Sequence, residues 1–503
     1  MMRGLRLAML TLICASGAAL SQSRAGLSGR IRALIDSTPS LAGALWGIQI
    51  SDAGNGEVVY QHNDNRLFVP ASNTKLFTTA LALERLGPNY RFRTTVLADR
   101  EPDQNGAVSW LRLVGSGDAN LSPRVIPYRM NSPWGDPLAA ANALADLLVG
   151  RGLRAVEGGV IGDDSAFVWQ PYPKGWAIDD AIWGDGAAVS ALAVNDNTIA
   201  VMIRPGDREG DLARIETAPA LGYYQFANRV STSHGTRRIR IERDPGSRQV
   251  RIAGTIPLRD PGATELLGVD DPALFAALAL TDALTRRGVR IAGSVSAAHL
   301  FPDQIADLEA GPAPEPVGGV ELASRLSAPL IDDLRVTNKV SQNLHAEMVL
   351  RAVARAQRRI GSREAGLAEM RLFLKQIGIP EGAVYLEDGS GLTSLNLVTP
   401  AAVVALLQWA YKQPFRDEWL SLLPVGGEDG TLSARFGSTR NGAAARRRIR
   451  AKTGTLLRVH ALSGYATRSD GRIFVFSILV NNYGGQPSEV RAAIDKICML
   501  LVK

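Results

Sequence analysis

The chain has 503 residues, of which 46% are hydrophobic and 21% charged, and its formal net charge is +7. That length exceeds one ordinary domain and that composition excludes a disordered chain, so two or three domains with sizeable cores are expected. The positive charge favours association with anionic polymers or membrane surfaces, but it identifies no chemistry.

The N-terminal segment has the pattern of an export signal. Two arginines precede an apolar run over 7–20, and small residues follow through Ala25. This pattern predicts a secretory signal peptide over 1–25, cleaved after Ala19 or Ala25, with a retained membrane anchor as the alternative. Cleavage would leave Cys498 as the only cysteine. No intramolecular disulfide is therefore expected, and a buried structural thiol is favoured over a nucleophile.

The two ends of the remaining chain predict one sheet domain. Alternating apolar residues over 45–60 predict a β-hairpin, and a helical pattern follows at 76–83. Near the other end, 459–466 and 473–480 predict two antiparallel strands, and a last helix is predicted over about 488–501. Strands at both ends with helices between them predict an α+β fold whose sheet is built from both ends of the chain.

The middle of the chain differs in composition. Residues from about 95 to 320 are rich in Gly, Pro and Asp, with short alternating strands at 239–241 and 250–252. One clear helical pattern, at 272–287, interrupts them. The simplest interpretation is one or two inserted modules that are mostly β.

The first motif with chemical potential is Ser72-Asn73-Thr74-Lys75. If Ser72 opens the predicted helix, Lys75 lies one turn later on the same face, beside the serine hydroxyl. A neutral lysine amine could take the serine proton, and burial and a second nearby cation are expected to lower its pKa. Taken alone, the pattern favours the alternative of a helix cap with an exposed lysine.

The second motif is Ser341-Gln342-Asn343. A second hydroxyl near the first could relay a proton to a leaving amine, and the amide could hold the lysine and a substrate carbonyl. The alternative is a polar loop that leads into a helix carrying Leu344, Met348 and Val349.

The third motif, Lys452-Thr453-Gly454-Thr455, enters the strand predicted at 459. The lysine supplies charge for a substrate carboxylate, and the two threonine hydroxyls can donate to it. Gly454 lets an extended substrate pair with the strand edge. The backbone N–H groups of Ser72 and Thr455 would form an oxyanion hole. The alternative is an ordinary turn at the start of a strand.

Each motif is weak alone, but their order matches the S-x-x-K, S-x-N and K-T-G signature of penicillin-binding proteins and serine β-lactamases. The chain resembles the class C, type-4 penicillin-binding proteins, which are D-Ala-D-Ala carboxypeptidase/endopeptidases of the S13 peptidase family. The long separation of the first two motifs is similar to that family's. Further segments that carry the resemblance are Gly115–Asp118 with Leu121, Gly175–Trp176 with Asp179, Val189–Leu192 with Asn195 and Asn197, and Asp388–Leu392.

The resemblance implies a penicillin-binding/β-lactamase-like transpeptidase domain, with an antiparallel sheet flanked by helices and two inserted, mostly-β domains. The catalytic domain would comprise 26–94 and 322–503. Inserted domain II would comprise 95–184 and 262–321, and inserted domain III 185–261.

The resemblance also implies the roles of individual residues. Ser72 would be the acylated nucleophile and Lys75 its base, with Ser341 as the relay and Asn343 as the orienting amide. Lys452, Thr453 and Thr455 would clamp the substrate carboxylate, and Asp179 would receive the free amino group of a diaminopimelate side chain. The family commonly has Arg two residues after the Leu of its Asp-Gly-Ser-Gly-Leu motif, where this chain has Ser394.

The implied partners are peptidoglycan stem peptides and, as covalent inhibitors, β-lactams, in the periplasm or cell-wall space. No cofactor or metal is expected, because no histidines have metal-ligand spacing and two cysteines cannot complete a zinc site. Nucleic acid is not expected for an exported chain, so the basic run Arg446–Arg450 is interpreted as solvated. His345 could be proposed as a base, but packing on a helix face is favoured.

Two other functions stay open at this point. A serine β-lactamase needs a dedicated water-activating carboxylate, and the sequence assigns none. A catalytically weak wall-binding protein would have no need of the paired lysine and serine.

Overall fold

The computed structural model describes residues 26–37, 41–132, 134–311, 318–437 and 445–503. The signal peptide predicted over 1–25 lies outside these residues. The helices are α1 (26–36), α2 (Thr74–Arg85), α3 (Ala139–Gly150), α4 (Pro272–Thr285), α5 (Leu330–Lys339), α6 (Asn343–Arg358), α7 (Arg363–Gln376), α8 (Pro400–Tyr411), α9 (Arg416–Leu422) and α10 (Pro487–Leu501). Among the described residues, no helix is both long and apolar enough to span a bilayer.

The described residues also form 23 strands. They are β1 (Leu45–Asp52), β2 (Val58–His62), β3 (Arg93–Ala98), β4 (Ala107–Val108), β5 (Leu111–Val114), β6 (Asp118–Leu121), β7 (Ala155–Val156), β8 (Val160–Val168), β9 (Leu192–Val194), β10 (Thr198–Arg204), β11 (Arg214–Ala218), β12 (Gln225–Ser233), β13 (Arg238–Arg243), β14 (Gln249–Pro257), β15 (Ala263–Gly268), β16 (Arg290–Ile291), β17 (Val295–Leu300), β18 (Val320–Leu326), β19 (Val384–Tyr385), β20 (Leu397–Val398), β21 (Ile449–Leu456), β22 (Val459–Thr467) and β23 (Ile473–Asn481).

The main sheet joins the two ends of the chain, as the sequence predicts. Its order is β2-β1-β23-β22-β21, and all its ladders are antiparallel. The central strand β23 is apolar along almost its whole length because both of its faces are covered. On one face it packs with α10, whose buried residues include Ile494, Ile497 and Cys498. On the other face lies the core that contains α2, α6 and α8.

Two local predictions about the motifs need correction. Ser72 does not open the α-helix, because Ala71–Asn73 form a separate 3-10 turn and α2 begins at Thr74. The third motif does not lead into the strand at 459; it lies inside the separate edge strand β21, where Lys452 is paired with Ser463 of β22. The sheet therefore has one more strand at this end than the sequence pattern indicated.

The middle of the chain is mostly β, as predicted, but it contains two helices. Its larger sheet has the order β17-β8-β5-β3-β18, and three-stranded sheets contain β11-β10-β15 and β12-β14-β13. The predicted helix is α4, and α3 was missed. In α3 only Asn142 and Asp146 interrupt an apolar run before Gly150, so its helical period is weak in the sequence.

We propose that the chain divides into a catalytic part and two inserted parts, near the bounds expected from the sequence. The expected bounds at 94/95 and 321/322 fall inside β3 and β18, which pair with each other. We assign both strands to the first insert, because β3 also pairs with β5 of that insert.

Candidate active site

The first motif lies in a turn that is packed against the edge strand. Ala71 adopts a positive φ of 48°, and the amide of Asn73 donates to the carbonyl of Lys452 over 3.0 Å. Gly391 lies directly against this turn, where a Cβ would stand 1.9 Å from the carbonyl oxygen of Ala71. These contacts fix Ser72 between α2, β21 and the 388–392 segment.

Lys75 is fully buried and makes three polar contacts. Its Nζ lies 3.1 Å from Ser72 Oγ, 2.7 Å from Asn343 Oδ1 and 2.7 Å from the carbonyl of Ser390. A neutral amine has only two N–H bonds and one lone pair. The oxygens of the Asn343 amide and the Ser390 carbonyl can only accept hydrogen bonds. If they accept the two N–H bonds of Lys75, its lone pair is left for the Ser72 hydroxyl.

The pKa of Lys75 agrees with this arrangement. Burial lowers it to about 8, and the carboxylates of Asp388, Glu347 and Asp185 oppose part of that shift. Burial is the largest cause of this shift, and the effect of a second cation on Lys75 stays a prediction. Lys452 is a neighbouring cation: burial first, and then the charge of Lys75, hold the pKa of Lys452 well below its ordinary value.

The second motif joins α5 to α6 and faces the edge strand. Ser341 adopts a left-handed backbone conformation, with φ at 67°, and its hydroxyl lies 2.9 Å from Lys452 Nζ. Gln342 caps α6 by accepting from the N–H of Leu344. Asn343 bridges two elements: its Oδ1 accepts from Lys75, and its Nδ2 donates to the carbonyl of Asp185 over 2.9 Å.

The third motif lines the strand edge. Lys452 is fully buried, whereas Thr455 is exposed, and Thr453 donates to the hydroxyl of Thr431 over 2.8 Å. Packing explains why position 454 is glycine, which the sequence did not reveal. A Cβ there would stand 2.6 Å from the carbonyl oxygen of Pro70. The strand can approach the Ser72 turn only because this side chain is missing.

Sequence reasoning missed the residues that hold the carbonyl of Ser390 against Lys75. The carboxylate of Glu347 accepts from the N–H groups of Gly389 and Ser390, both over 2.8 Å. The carboxylate of Asp388 accepts from the N–H of Gly391 over 2.7 Å. Two signals were available: the Asp388–Leu392 motif itself, and a buried Glu one turn after Asn343 on the same helix.

The inserted segment reaches the rim of this site. Trp176 donates through Nε1 to Asp388 over 3.0 Å, and Gly175 packs on Thr393 and Leu395. Asp179, three residues further on, is exposed at the start of a 3-10 turn. Within the described residues, Asp179 therefore lies outside the hydrogen-bonded cluster that the three motifs form.

His345 is not a simple packing residue. It is fully buried between two carboxylates, with Nδ1 2.6 Å from Asp333 and Nε2 3.2 Å from Asp196. Burial alone would lower its pKa, but the two carboxylates raise it to about 9. Asp196 also accepts from Arg124 and Gln342, so the cluster ties the insert to the second motif.

The sheet edge and these three motifs define a class of protein. A serine beside a buried lysine at a helix start, a second serine on a loop and a Lys-Thr-Gly strand characterise the penicillin-binding and serine β-lactamase enzymes. A model of the D-Ala-D-Ala carboxypeptidase 3 (S13) family matches residues 27–501. The chain belongs to this family, and it is a hydrolase of the D-Ala-D-Ala carboxypeptidase kind.

Individual relatives agree with the family model. A D-alanyl-D-alanine carboxypeptidase from an Actinomadura species is 33% identical over 494 residues, which covers 95% of this chain and 85% of the relative. The carboxypeptidase DacB of Mycolicibacterium smegmatis is 30% identical over 481 residues, covering 95% and 84%. Both relatives are thus similar to this chain over nearly its full length.

Solved structures agree with the fold. The crystal structure of penicillin binding protein 4 from Haemophilus influenzae matches with a TM-score of 0.77 at 24% identity, covering 94% of this chain and 98% of that one. The same protein in complex with a β-lactam matches with a TM-score of 0.74 at 23% identity. The predicted fold class, an α+β penicillin-binding fold with inserts, is confirmed.

Proposed function

We propose that Ser72 is the nucleophile of this peptidase and that neutral Lys75 is its base. The 3.1 Å contact between Nζ of the fully buried Lys75 and Oγ of Ser72 is the observation that carries the proposal. The Ser72 oxygen bonds to the carbonyl carbon between two D-alanines, and its proton passes to Lys75. The peptide C–N bond then breaks, and the amine of the terminal D-alanine leaves with a proton. Water later hydrolyses the ester, which restores Ser72.

Ser341 relays the proton in this proposal: its hydroxyl protonates the departing amine and recovers a proton from the Lys75 ammonium, which makes Lys75 neutral again, while Lys452 holds the hydroxyl in place. The 2.9 Å contact between their polar atoms supports a shared role. The lowered pKa of Lys452 belongs to the site without substrate. A substrate carboxylate that arrives near Thr453 and Thr455 would favour the charged form of Lys452. Binding of the anionic C-terminus would therefore protonate this lysine.

The tetrahedral intermediate needs donors for its oxyanion. We assign these to the backbone N–H groups of Ser72 and Thr455, since the Ser72 turn packs directly on β21. Asn343 orients the base through its Oδ1, and its Nδ2 is held by the carbonyl of Asp185. Asp179 stays the proposed acceptor for the amino group of a stem-peptide side chain, reaching the site from the Trp176 turn.

The substrates follow from the family. The chain acts on the D-Ala-D-Ala peptide bonds of peptidoglycan, and we infer that it also cleaves D-configured cross-links. β-Lactams acylate Ser72 in this proposal because their ring amide mimics the scissile bond. We infer an extracytoplasmic location, in the periplasm or cell-wall space, because the substrate lies there and the sequence has the pattern of a signal peptide.

Two carboxylates of the site are not free to serve as the water-activating base of a β-lactamase. Efficient deacylation needs a carboxylate that is free to activate water. Glu347 and Asp388, two of the carboxylates that act on Lys75, are occupied by backbone N–H groups.

The test uses the purified wild type, Ser72→Ala and Ser469→Ala, which removes an exposed hydroxyl in the β22–β23 turn. Intact-mass spectrometry after incubation with benzylpenicillin should show one adduct on the wild type and on Ser469→Ala, and none on Ser72→Ala. Release of D-alanine from a stem pentapeptide should follow the same pattern. A wild type that stays unmodified under saturating penicillin would exclude the proposed nucleophile.

A further inference from the structure

A cavity of about 800 Å³ opens beside Ser341, between the second motif and the inserted segments. Its lining includes residues from 124–132 together with Trp134, and Arg129 is among them. Asp185 also lines it, with Thr264 and Glu265 from β15. Ser341 itself and its neighbours on the loop complete the lining. A space of this size accommodates a peptide of several residues and far exceeds one alanine.

The position of the cavity indicates which part of a substrate it faces. In the proposed mechanism the Ser341 hydroxyl gives its proton to the leaving amine. A cavity that begins at Ser341 therefore lies on the side from which the leaving group departs. When the enzyme removes a terminal D-alanine, the leaving group is a single small residue. When it cleaves a cross-link, the leaving group is an entire second stem peptide.

The cavity is lined by Arg124 and Arg129 and by the acidic Asp185, Asp196 and Glu265, so a peptide meets charges of both signs. Arg124 is already paired with Asp196, and its guanidinium lies 4.7 Å from the ring centroid of Trp134. Arg129 is exposed, and no carboxylate of the described chain forms an ion pair with it. Stem peptides carry free carboxylates, which a guanidinium binds well. Trp134 is 56% exposed and offers an apolar surface beside this cation.

We propose that this cavity binds the leaving stem peptide of a peptidoglycan cross-link, with Arg129 as the anchor for one of its carboxylates. The inference rests on the proposed function, because it takes Ser341 as the group that protonates the leaving amine. It gives the inserted segments a role in the reaction: they build the far wall of a subsite that cross-link cleavage needs and D-alanine release does not.

The experiment compares two substrates on the same enzyme preparations. One is a monomeric stem pentapeptide, and the other is a purified cross-linked muropeptide dimer. The variants are Arg129→Ala, which removes the anchor, and Thr264→Trp, which narrows the cavity from an exposed position on β15. Arg208→Ala, at an exposed site on the loop after β10, is the matched control. Acylation of Ser72 by benzylpenicillin at the wild-type rate would show that each variant is folded.

We expect Arg129→Ala and Thr264→Trp each to lower kcat/KM for the dimer about tenfold, the scale of one anchoring contact. D-alanine release from the monomer should stay within about twofold of the wild type, and Arg208→Ala should change neither activity. Equal losses on both substrates, or no loss on the dimer, would overturn the subsite. A wild type that releases D-alanine but leaves the dimer intact would overturn it while the proposed carboxypeptidase mechanism stands. A wild type inactive on both would refute that mechanism as well.

Discussion

The Nζ atom of Lys452 lies 2.9 Å from the hydroxyl oxygen of Ser341, although the two residues are 111 positions apart in the chain. Ser341 reaches this position through a left-handed backbone conformation, and Lys452 reaches it from a buried place on the edge strand. A strained serine held against a buried lysine is typical of a functional pair. This contact supports our proposal that the loop and the strand act together on one proton.

Removal of the Ser341 hydroxyl should slow proton transfer to the leaving amine. Glycine favours positive φ, so Ser341→Gly keeps the backbone conformation, while Ser341→Ala does not. We expect both variants to lose about 10²- to 10⁴-fold in kcat/KM for D-alanine release. Steady-state kinetics with a stem pentapeptide would measure this. If Ser341→Gly kept full activity, the hydroxyl would have no part in the reaction.

The pH dependence of acylation should report the proton on Lys75. The base works only when neutral, and its pKa is about 8 because it is buried. Acylation by benzylpenicillin should therefore become faster as pH rises and level off above about pH 8. Stopped-flow measurements over this range would show the profile. Lys75→Arg, which cannot lose its proton, should be inactive at every pH. A rate that falls from pH 7 to pH 9 would contradict a neutral base.

A methyl group at Gly454 should separate the edge strand from the nucleophile. The added Cβ would stand 2.6 Å from the Pro70 oxygen and 3.0 Å from Ala461 Cβ. Since backbone must move, we expect Gly454→Ala to lose about a hundredfold in acylation rate, the effect of a misplacement near 1 Å. Gly43→Ala, where nothing lies within 4 Å, is the control and should keep its rate. Equal rates for both variants would show that the close approach is unimportant.

His345 should stabilise the fold in a pH-dependent way. Its pKa is raised from 6.5 to about 9, so its contribution is complete below about pH 6.5 and is lost as pH rises through about 9. His345→Leu leaves the buried Asp333 without its cation and Asp196 with Arg124 alone, and we expect a loss of about 3–5 kcal/mol in unfolding free energy at pH 6. Urea unfolding at pH 6 and above pH 9 would measure it. The loss should shrink at the higher pH, and exposed His62→Leu should show neither effect.

The absence of an arginine at position 394 should limit recognition of a side-chain carboxylate. Ser394 is exposed and lies between Thr393 and Leu395, on which Gly175 packs. Ser394→Arg should raise the preference for meso-diaminopimelate over lysine stem peptides about fivefold, as an exposed ion pair allows. Competition between the two peptides would measure the ratio. Ser394→Gln adds length without charge and should leave the ratio unchanged, and an unchanged ratio in Ser394→Arg would rule out the contact.

Local sequence patterns predicted the sheet, its hairpins and the terminal helix because these elements alternate or repeat with clear periods. The same patterns missed α3, whose apolar residues surround the helix, and β21, whose polar motif resembles a turn. The three motifs were predicted as a set, since each keeps a short fixed spacing. What the sequence left open was contact between distant segments: Glu347 on the Ser390 turn, and His345 between the carboxylates of Asp196 and Asp333.

The amide of Asn73 donates to the carbonyl of Lys452, and the two residues are 379 positions apart. During synthesis the nucleophile therefore emerges long before the strand that completes its surroundings. Contacts of such high sequence separation form late in folding. A nascent chain is consequently inert towards its own cell's polymer until β21–β23 have joined β1. Proteolysis that removes strands β21–β23 would inactivate the enzyme although Ser72 is still present.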